Sequence, residues 1–314
     1  MTTEHEVAIL DFGSQYTHLI ARRVRELGVH SCIYPTDVPM KLLKNASAII
    51  LSGGPRSVVN QPMLPYDPNL FSLPVPILGL CYGHQLMAKH FGGRVSSGVA
   101  REYGLATIQP TADSRQPTAL FRGVNRETIV WMSHGDHVEK LPPGFFQIAT
   151  TGNKSIAAMA DEKNERYGFQ FHPEVVHTTE GRTMLKNFLF GIAHLKKTWT
   201  TKQQLHEIEA SIRSEAKGKN VFLLVSGGVD STVCFALLEK ILGKQRVYGL
   251  LVDTGFMRQD ETRKIRIALA KAGFPNLHIY DAEVEFLSAI HGVTDPEKKR
   301  KIIGNLFWIS LIES

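Results

Sequence analysis

The chain has 314 residues, of which 43% are hydrophobic and 21% charged, and its net charge is +6 with histidine neutral. This balance is typical of a globular protein with room for two domains, and it excludes disordered, collagen-like and coiled-coil chains. No apolar run is long enough for a membrane span, the polar start lacks signal-peptide character, and three cysteines are too few for a disulfide framework or a zinc site; a cytoplasmic protein is therefore expected.

The first part of the chain alternates strand and helix patterns. Residues 7–12 form an apolar run of buried-strand length, and the helical periodicity that follows ends at Gly28. Short apolar strands are predicted at 48–51 and 75–80, and a helix from about 178 to 195. Between 94 and 172 scattered short strands with turns predict an antiparallel extension, and the alternation over 166–171 indicates a strand. The pattern predicts an α/β domain with a largely parallel sheet.

A polar stretch near residue 196 indicates a domain boundary, so we expect one domain over 1–196 and another over 197–314. After a charged helix, strands are predicted at 221–225, 247–252 and 277–280, with helices between them. The first of these helices has an apolar face formed by Val233, Cys234, Leu237, Leu238 and Ile241.

The segment Gly79-Leu-Cys81-Tyr-Gly83 follows a predicted strand and begins a helix. Glycines two residues to either side allow the sharp turn of a nucleophile elbow, and the positive end of the following helix favours a thiolate. Cys81 is therefore the candidate nucleophile. Cys32 and Cys234 lie in apolar periodic stretches and are expected to be core cysteines.

His172 and Glu174 are the candidate partners of Cys81. In an extended segment residues i and i+2 point to the same side, so the carboxylate can reach the imidazole ring. We expect His172 to accept the thiol proton and to return it to the leaving amine, while Glu174 orients the ring.

An acyl-transfer site also needs donors for an oxyanion. Gly53 and Gly54 end a neighbouring predicted strand, and Tyr82 follows the nucleophile, so the backbone N–H groups of these three residues are the candidate oxyanion hole. Without the elbow, the Gly-Gly-Pro segment would be interpreted as a simple turn.

Four segments together resemble the class I glutamine amidotransferases: Asp11-Phe-Gly-Ser-Gln-Tyr16, Leu51-Ser-Gly-Gly-Pro55, Gly79-Leu-Cys-Tyr-Gly-His-Gln85 and Phe171-His-Pro-Glu174. The resemblance implies an open twisted sheet with helices on both faces, and hydrolysis of glutamine through a glutamyl thioester. It also implies that Gln85 binds glutamine and that Met132-Ser-His-Gly-Asp136 lies near the same pocket, which makes Ser133 and His134 candidates. Whether His134 or His137 only caps or packs stays open, and His84 is expected to be structural or exposed.

A second motif, Ser226-Gly-Gly-Val-Asp-Ser-Thr232, lies between a predicted strand and a helix. Small residues let the backbone wrap a phosphate, and the helix N-terminus adds N–H donors. The Gly-Lys-Ser/Thr of a Walker loop is missing, which disfavours cleavage of a γ-phosphate. Asp230 either caps the helix or meets a Mg²⁺ ion bound with ATP, and no resident metal is predicted. The candidate phosphate-binding residues are Ser226, Gly227, Gly228, Val229, Asp230, Ser231 and Thr232.

This loop resembles the pyrophosphate loop of the ATP pyrophosphatases, whose Rossmann-like domain belongs to the adenine nucleotide alpha-hydrolase-like class. The resemblance adds Val252 and Asp253 to the ATP-binding candidates. An amidotransferase domain followed by such a domain resembles the family of glutamine-hydrolysing GMP synthetases. That resemblance implies a ligase of purine biosynthesis in which ammonia from glutamine displaces AMP from adenylated XMP, with Mg²⁺ accompanying ATP and no prosthetic group.

Members of that family are homodimers and continue through a dimerisation domain, so we expect this chain to be incomplete and to retain only the glutaminase half. The alternative is a non-synthesising remnant: an uncoupled glutaminase or a glutamine- or ATP-binding protein. Glutamine, ATP and XMP are the expected partners. Nucleic acid is not expected, because the basic residues form no aromatic-interleaved stripe, and a membrane is not expected, because no apolar run is long enough to span one.

Overall fold

The structure is a computed structural model that describes residues 6–111 and 118–313, with the side chains of residues 6, 98–101 and 308–313 left out. The chain divides into two compact units, Met1–Thr200 and Thr201–Ser314. None of the helices in the described ranges is both long and apolar enough to cross a membrane.

The strands of the first unit are β1 Glu6–Asp11, β2 His30–Pro35, β3 Ala48–Leu51, β4 Ile77–Leu80, β5 Arg94–Pro110, β6 Thr128–Lys140, β7 Phe146–Thr151, β8 Ile156–Asp161 and β9 Arg166–Phe169. Within the described residues they form one sheet in the order β2-β1-β3-β4-β9-β8-β7-β5-β6. Neighbours from β2 to β9 pair in parallel, and the remaining strands pair antiparallel.

The antiparallel extension has longer strands than the sequence predicts. β5 spans 17 residues and β6 spans 13. Gly104 pairs with Met132 inside these strands, and Gly135 lies at the register shift where the partners of β6 change from Ser97 to Glu102. The partner strand supplies the hydrogen bonds that keep each segment extended, which the local sequence does not reveal.

The helices of the first unit are α1 Thr17–Glu26, α2 Met40–Leu43, α3 Tyr82–His90 and α4 Gly181–Lys186, with a π-helical turn at Asn187–Ile192 and short 3₁₀ turns at Pro68–Ser72 and Ala119–Phe121. The predicted helix over 178–195 therefore starts at Gly181 and changes geometry in its second half.

The core of the first unit covers both faces of the sheet. Val7 and Ile9 of β1 pack in one cluster with Val24 of α1, whereas Leu10 packs in another with Leu86 of α3. Alternate residues of a strand point to opposite faces, and apolar runs without alternation are typical of parallel strands buried on both sides. The predicted α/β fold with helices on both faces is confirmed.

The second unit contains α5 Thr201–Glu215, β10 Val221–Leu224, α6 Val229–Leu242, a 3₁₀ turn Lys244–Arg246, β11 Val247–Asp253, α7 Glu261–Lys271, β12 Leu277–Asp281, α8 Glu283–Ile290 and α9 Pro296–Glu313. Its three described strands are parallel, in the order β10-β11-β12. This alternation of parallel strands and helices is Rossmann-like.

The apolar face predicted for α6 is only partly correct. Phe235 and Ile241 are buried, but Val233 and Cys234 are exposed. The ring of Phe235 lies over Gly249 of β11, where a Cβ would come within 2.6 Å of Phe235 Cε2. This contact rotates α6 so that positions 233 and 234 face outward, and the expectation that Cys234 is a core cysteine is wrong.

Cys32, the other cysteine expected in the core, lies in β2 and is partly buried. Since β2 is an edge strand of the sheet, its side chains have a neighbouring strand on one side only. The expectation of a fully buried Cys32 is therefore also wrong.

Candidate active site

Three neighbouring parallel strands bring the candidate catalytic residues to one edge of the sheet. Gly53 follows β3, Cys81 follows β4, and His172 lies beyond β9, in a sheet where β3, β4 and β9 are adjacent. The carboxyl ends of parallel strands lie at the same edge. Residues separated by more than a hundred positions in the sequence therefore meet.

Cys81 lies in a strained turn between β4 and α3. Its φ is 48° and its ψ is −99°, which few residues other than glycine adopt. The turn requires glycine on both sides, because a Cβ at Gly79 would lie 2.5 Å from the carbonyl oxygen of Gly83, and one at Gly83 would lie 2.6 Å from Leu51 Cβ. This is the geometry of a nucleophile elbow.

The thiol of Cys81 is almost fully enclosed, with 4% of the residue exposed. Its sulfur lies 3.6 Å from the carbonyl oxygen of Ser133 and 3.7 Å from Nε2 of Gln170. Because α3 begins at the next residue, the positive end of the helix lies beside the sulfur.

His172 is held by Glu174 in the orientation that a base for Cys81 needs. Nδ1 of His172 lies 2.7 Å from Oε1 of Glu174, and both residues are buried. A carboxylate only accepts hydrogen bonds, so Nδ1 carries the proton and Nε2 is left for the thiol. Burial disfavours the charged ring, but the Glu174 carboxylate and the hydrogen bond to Cys81 raise the pKa of His172 well above its usual value.

The backbone around His172 is fixed by residues that the sequence did not single out. The N–H of His172 donates to the carbonyl of Trp131 at 3.1 Å, and Oγ1 of Thr178 donates to the His172 carbonyl at 2.6 Å. Nε of Arg23 donates to the carbonyl of Glu174 at 2.9 Å. None of these contacts has a sequence motif, because each depends on how the chain folds back on itself.

Two of the three candidate oxyanion donors border the nucleophile. A Cβ at Gly53 would lie 2.9 Å from Cε1 of His172 and 3.7 Å from Cβ of Cys81, so only glycine fits there. Tyr82 is the first residue of α3, where backbone N–H groups lack a partner within the helix. Gly54 lines the pocket beside them.

A pocket of about 670 Å³ opens in front of Cys81 and His172, and the candidate glutamine-binding residues Gln85, Ser133 and His134 line it. Nε2 of Gln85 donates to the carbonyl of Asp136 at 2.7 Å and to Oε1 of Gln170 at 3.2 Å. These bonds fix the position of the Gln85 amide.

One ring nitrogen of His134 is hydrogen-bonded, and the other lies near a carboxylate without a hydrogen bond among the described residues. Nδ1 lies 2.9 Å from the carbonyl of Asp136, and Nε2 lies 3.4 Å from Oε2 of Glu102. Burial lowers the pKa of His134, although Glu102 acts in the opposite direction. His134 therefore lies at the pocket wall and also packs.

His84 is structural rather than exposed. It is completely buried, and burial lowers its pKa to about 3, so the ring is neutral. Gly168 of β9 provides the space, because a Cβ there would come within 2.4 Å of Nδ1 of His84.

The side chain of Asp136 joins three segments at the pocket rim. Oδ2 accepts from Oγ of Ser57 at 2.5 Å, Oδ1 accepts from Oγ of Ser97 at 3.0 Å, and that hydroxyl also accepts from Nδ2 of Asn60 at 2.5 Å. The sequence placed Asp136 near the pocket, but Ser57, Asn60 and Ser97 carried no signal that could have identified them.

Hydrogen bonds between its own residues hold the candidate phosphate loop of the second unit. Oγ of Ser231 accepts from the N–H of Ser226 at 3.2 Å and lies 3.0 Å from Oγ of Ser226, which accepts from the N–H of Gly228 at 3.3 Å. Gly227 has a φ of 78°, and a Cβ there would clash with Ile265. Val229, Asp230 and Thr232 follow in the first turn of α6.

Val252 and Asp253 end β11, the neighbour of β10, and β10 leads into the loop. Because the two strands are parallel, both groups of candidates lie at the same edge of the sheet. Val252 is buried, and the carboxylate of Asp253 accepts from Oγ1 of Thr262 at 3.0 Å and from the N–H of Gly255 at 3.2 Å.

Comparison with known proteins finds two family models that match separate parts of the chain. The family model of class I glutamine amidotransferases matches residues 8–192, which is more than half of the chain, and the NAD synthase family model matches residues 201–304. The solved structure of a GMP synthase subunit from Thermoplasma acidophilum is 28% identical, with a TM-score of 0.53, and the match covers 65% of this chain and 98% of that one.

Two curated relatives match almost the whole chain. A glutamine-hydrolysing GMP synthase from Natranaerobius thermophilus is 44% identical over 96% of this chain and 58% of its own length. One from Solidesulfovibrio magneticus is 46% identical over 98% of this chain and 60% of its own. The chain thus spans about three fifths of the length of these relatives.

Proposed function

Because the chain belongs to the class I glutamine amidotransferase family, we propose that its first unit hydrolyses glutamine to glutamate and ammonia, with Cys81 as nucleophile. One observation carries this proposal: a strained cysteine at a helix start shares a pocket with a histidine that is bonded to a buried carboxylate. Nucleophile, base and orienting group are the three parts that acyl transfer through a thiol requires.

The reaction proceeds in two steps. His172 accepts the thiol proton, and the sulfur of Cys81 attacks the carboxamide carbon of glutamine. The oxyanion is stabilised by the N–H groups of Gly53, Gly54 and Tyr82. The C–N bond then breaks, His172 returns its proton to the leaving nitrogen, and ammonia departs from the thioester.

In the second step His172 takes a proton from water, and the hydroxide attacks the thioester carbon. The C–S bond breaks, glutamate is released, and the thiol is restored. Glu174 keeps the ring oriented and stabilises its positive charge in both steps, and Gln85, Ser133 and His134 contact the substrate.

We further propose that the second unit uses ATP and that the whole reaction is the amination of XMP to GMP, as in the glutamine-hydrolysing GMP synthases that this chain resembles. The oxygen at C2 of XMP attacks the α-phosphorus of ATP, pyrophosphate leaves, and ammonia displaces AMP. In support, the loop 226–232 presents backbone N–H groups at a helix N-terminus. Ser226, Gly227, Gly228, Val229, Ser231 and Thr232 hold the phosphates in this proposal, beside Val252 and Asp253.

Mg²⁺ would accompany the nucleotide. Among the described residues no group of three or more His, Cys, Asp and Glu side chains could hold a metal alone. Asp230, exposed in the first turn of α6, fits the usual arrangement in which one or two carboxylates and the phosphates share the ion. The ion would offset phosphate charge. A cytoplasmic location belongs to the same proposal, since the reducing cytoplasm keeps a catalytic thiol in its free form.

Release of glutamate and ammonia from glutamine tests the first half. We expect Cys81→Ala to lower the rate by at least about 10³-fold, because the nucleophile is lost. Cys32→Ala is the matched control, since Cys32 lies in the same unit outside the pocket. Equal rates for Cys81→Ala and the unchanged chain would refute the proposal.

The second half requires two measurements. Calorimetric titration with Mg·ATP should show binding that Ser231→Ala weakens, whereas Ser211→Ala on α5 should leave it unchanged. Formation of GMP from XMP, ATP and glutamine then tests the whole reaction. Titrations without binding heat would refute the nucleotide proposal, and glutamate release without any GMP would refute the proposal for the whole reaction.

A further inference from the structure

The pocket in front of Cys81 has an uneven distribution of charge on its wall. Among the described residues that line it, Arg56 is the only lysine or arginine, and Asp136 is the only aspartate or glutamate. We propose that Arg56 binds the α-carboxylate of glutamine and is a specificity-determining residue of this site. This inference rests on the proposed glutaminase activity.

The loop that carries Arg56 is held firmly in place. Oγ of the next residue, Ser57, donates to Asp136 at 2.5 Å, and the side chain of Val58 is completely buried. Nζ of Lys89 donates to the carbonyl of Val58 at 2.5 Å. Anchors directly after Arg56 fix its backbone at the pocket wall, so binding orders less of the chain.

The guanidinium group of Arg56 has N–H donors that no described residue accepts from. Nη1 donates to the carbonyl of Pro62 at 3.1 Å, and no other hydrogen bond of this side chain is found among the described residues. An arginine presents five N–H donors in a planar fork that matches the two oxygens of a carboxylate. The bond to Pro62 steadies the group, and the remaining donors are available to a ligand.

The other polar groups of the wall are less suited to a carboxylate. Asp136 repels an anion, and its two oxygens already accept from Ser57 and Ser97. His134 is buried between the Asp136 carbonyl and Glu102, and burial lowers its pKa, so its ring carries little positive charge at neutral pH. His172 also lines the pocket, but its ring is engaged by Glu174 and Cys81, so Arg56 supplies the positive charge that is available to a carboxylate.

The experiment compares two substrates that differ only at the α-carboxylate. Ammonia release is measured with L-glutamine and with L-glutaminamide, in which an uncharged amide replaces that carboxylate. Arg56→Ala should raise KM for glutamine about tenfold and leave kcat within about twofold, because the contact lies away from the reacting carbon. KM for glutaminamide should be equal in the two proteins, and Arg56→Lys should recover part of the lost affinity for glutamine.

Arg22→Ala is the matched control, because Arg22 is an exposed arginine of the same unit that pairs with Glu26. An unchanged KM for glutamine in Arg56→Ala would overturn the proposal. So would an equal rise in KM for both substrates, which would indicate a disturbed loop. Loss of the Arg56 effect while Cys81→Ala still abolishes turnover contradicts this inference alone, whereas turnover that survives Cys81→Ala contradicts the glutaminase itself.

Discussion

The two units place their candidate reactive residues in opposite surroundings. In the first unit Cys81, His172 and Glu174 are exposed by 4%, 3% and 1%. In the second unit Ser226, in the loop, and Asp230, in the first turn of α6, are exposed. Charges interact more strongly where water is excluded, so substitutions in the first site should have far larger effects than substitutions in the second.

The cores of the two units also differ in burial, and again the first unit is the more buried. Every residue of β3, β4 and β9 is buried, because helices cover both faces of that part of the sheet. In β10, by contrast, Phe222 and Leu224 are exposed, and α5 has no buried residue. The first unit encloses its apolar surface, whereas the second leaves apolar side chains in contact with water. Buried apolar side chains should therefore contribute more to the stability of the first unit than to that of the second.

The largest effect should come from Glu174→Gln in the first unit. Loss of the carboxylate that orients His172 should lower the rate of glutamate release by about 10³-fold. The exposed Glu162→Gln is the control and should retain full activity. A fall in this rate of less than tenfold would show that Glu174 is not the residue that orients His172.

Glu174→Gln should also change how the stability of the protein depends on pH. The folded state raises the pKa of His172 above its unfolded value near 6.5, so the stabilisation is complete below that value and is lost as pH rises through the folded pKa. The melting temperature of Glu174→Gln should therefore differ from that of the unchanged chain most at pH 6 and less at pH 9. A difference that grows with pH would contradict this assignment.

Glu239→Gln in the second unit should have an intermediate effect, and this substitution should stabilise the protein. Glu239 is buried in α6, and neither carboxylate oxygen makes a full hydrogen bond with the described residues. Burial raises its pKa, and Lys244 and the N–H of Asn276 oppose the shift only in part. Its stabilising contribution is thus present in acid and is lost as pH rises through the folded pKa.

The amide carries no charge to bury, so Glu239→Gln should stabilise the second unit by about 1 kcal/mol at pH 7 and have no benefit at pH 4. Urea unfolding at the two pH values measures this, with the exposed Glu207→Gln of α5 as the control. Destabilisation at pH 7 would mean that the carboxylate has a partner that offsets its burial.

The smallest effect should come from Cys234→Ala. Because Cys234 is exposed, the free energy of unfolding should change by less than about 0.5 kcal/mol. The mutation Phe235→Ala, one residue further along α6, should cost about 3 kcal/mol or more, since its ring is completely buried. Equal losses of unfolding free energy in the two variants would show that Cys234 lies in the core, as the sequence predicted.

The sequence predicted the elbow and its partners because their chemistry is local. Gly79, Cys81 and Gly83 lie within five residues, and His172 and Glu174 lie two residues apart, so spacing and residue type were sufficient. The face of α6 was predicted less well. Helical periodicity identifies a set of apolar positions, but Phe235 over Gly249 decides which of them turn inward.

By itself, the sequence determined the alternation of strands and helices, and it predicted two domains and the residue types of both candidate sites. Only the tertiary structure decided that β3, β4 and β9 lie side by side, which brings Gly53, Cys81 and His172 together. It also revealed Arg56 at the pocket wall and the bond from Ser57 to Asp136. The physical reason is that a motif records contacts between near neighbours in the chain, whereas sheet pairing and burial bring distant segments within bonding distance.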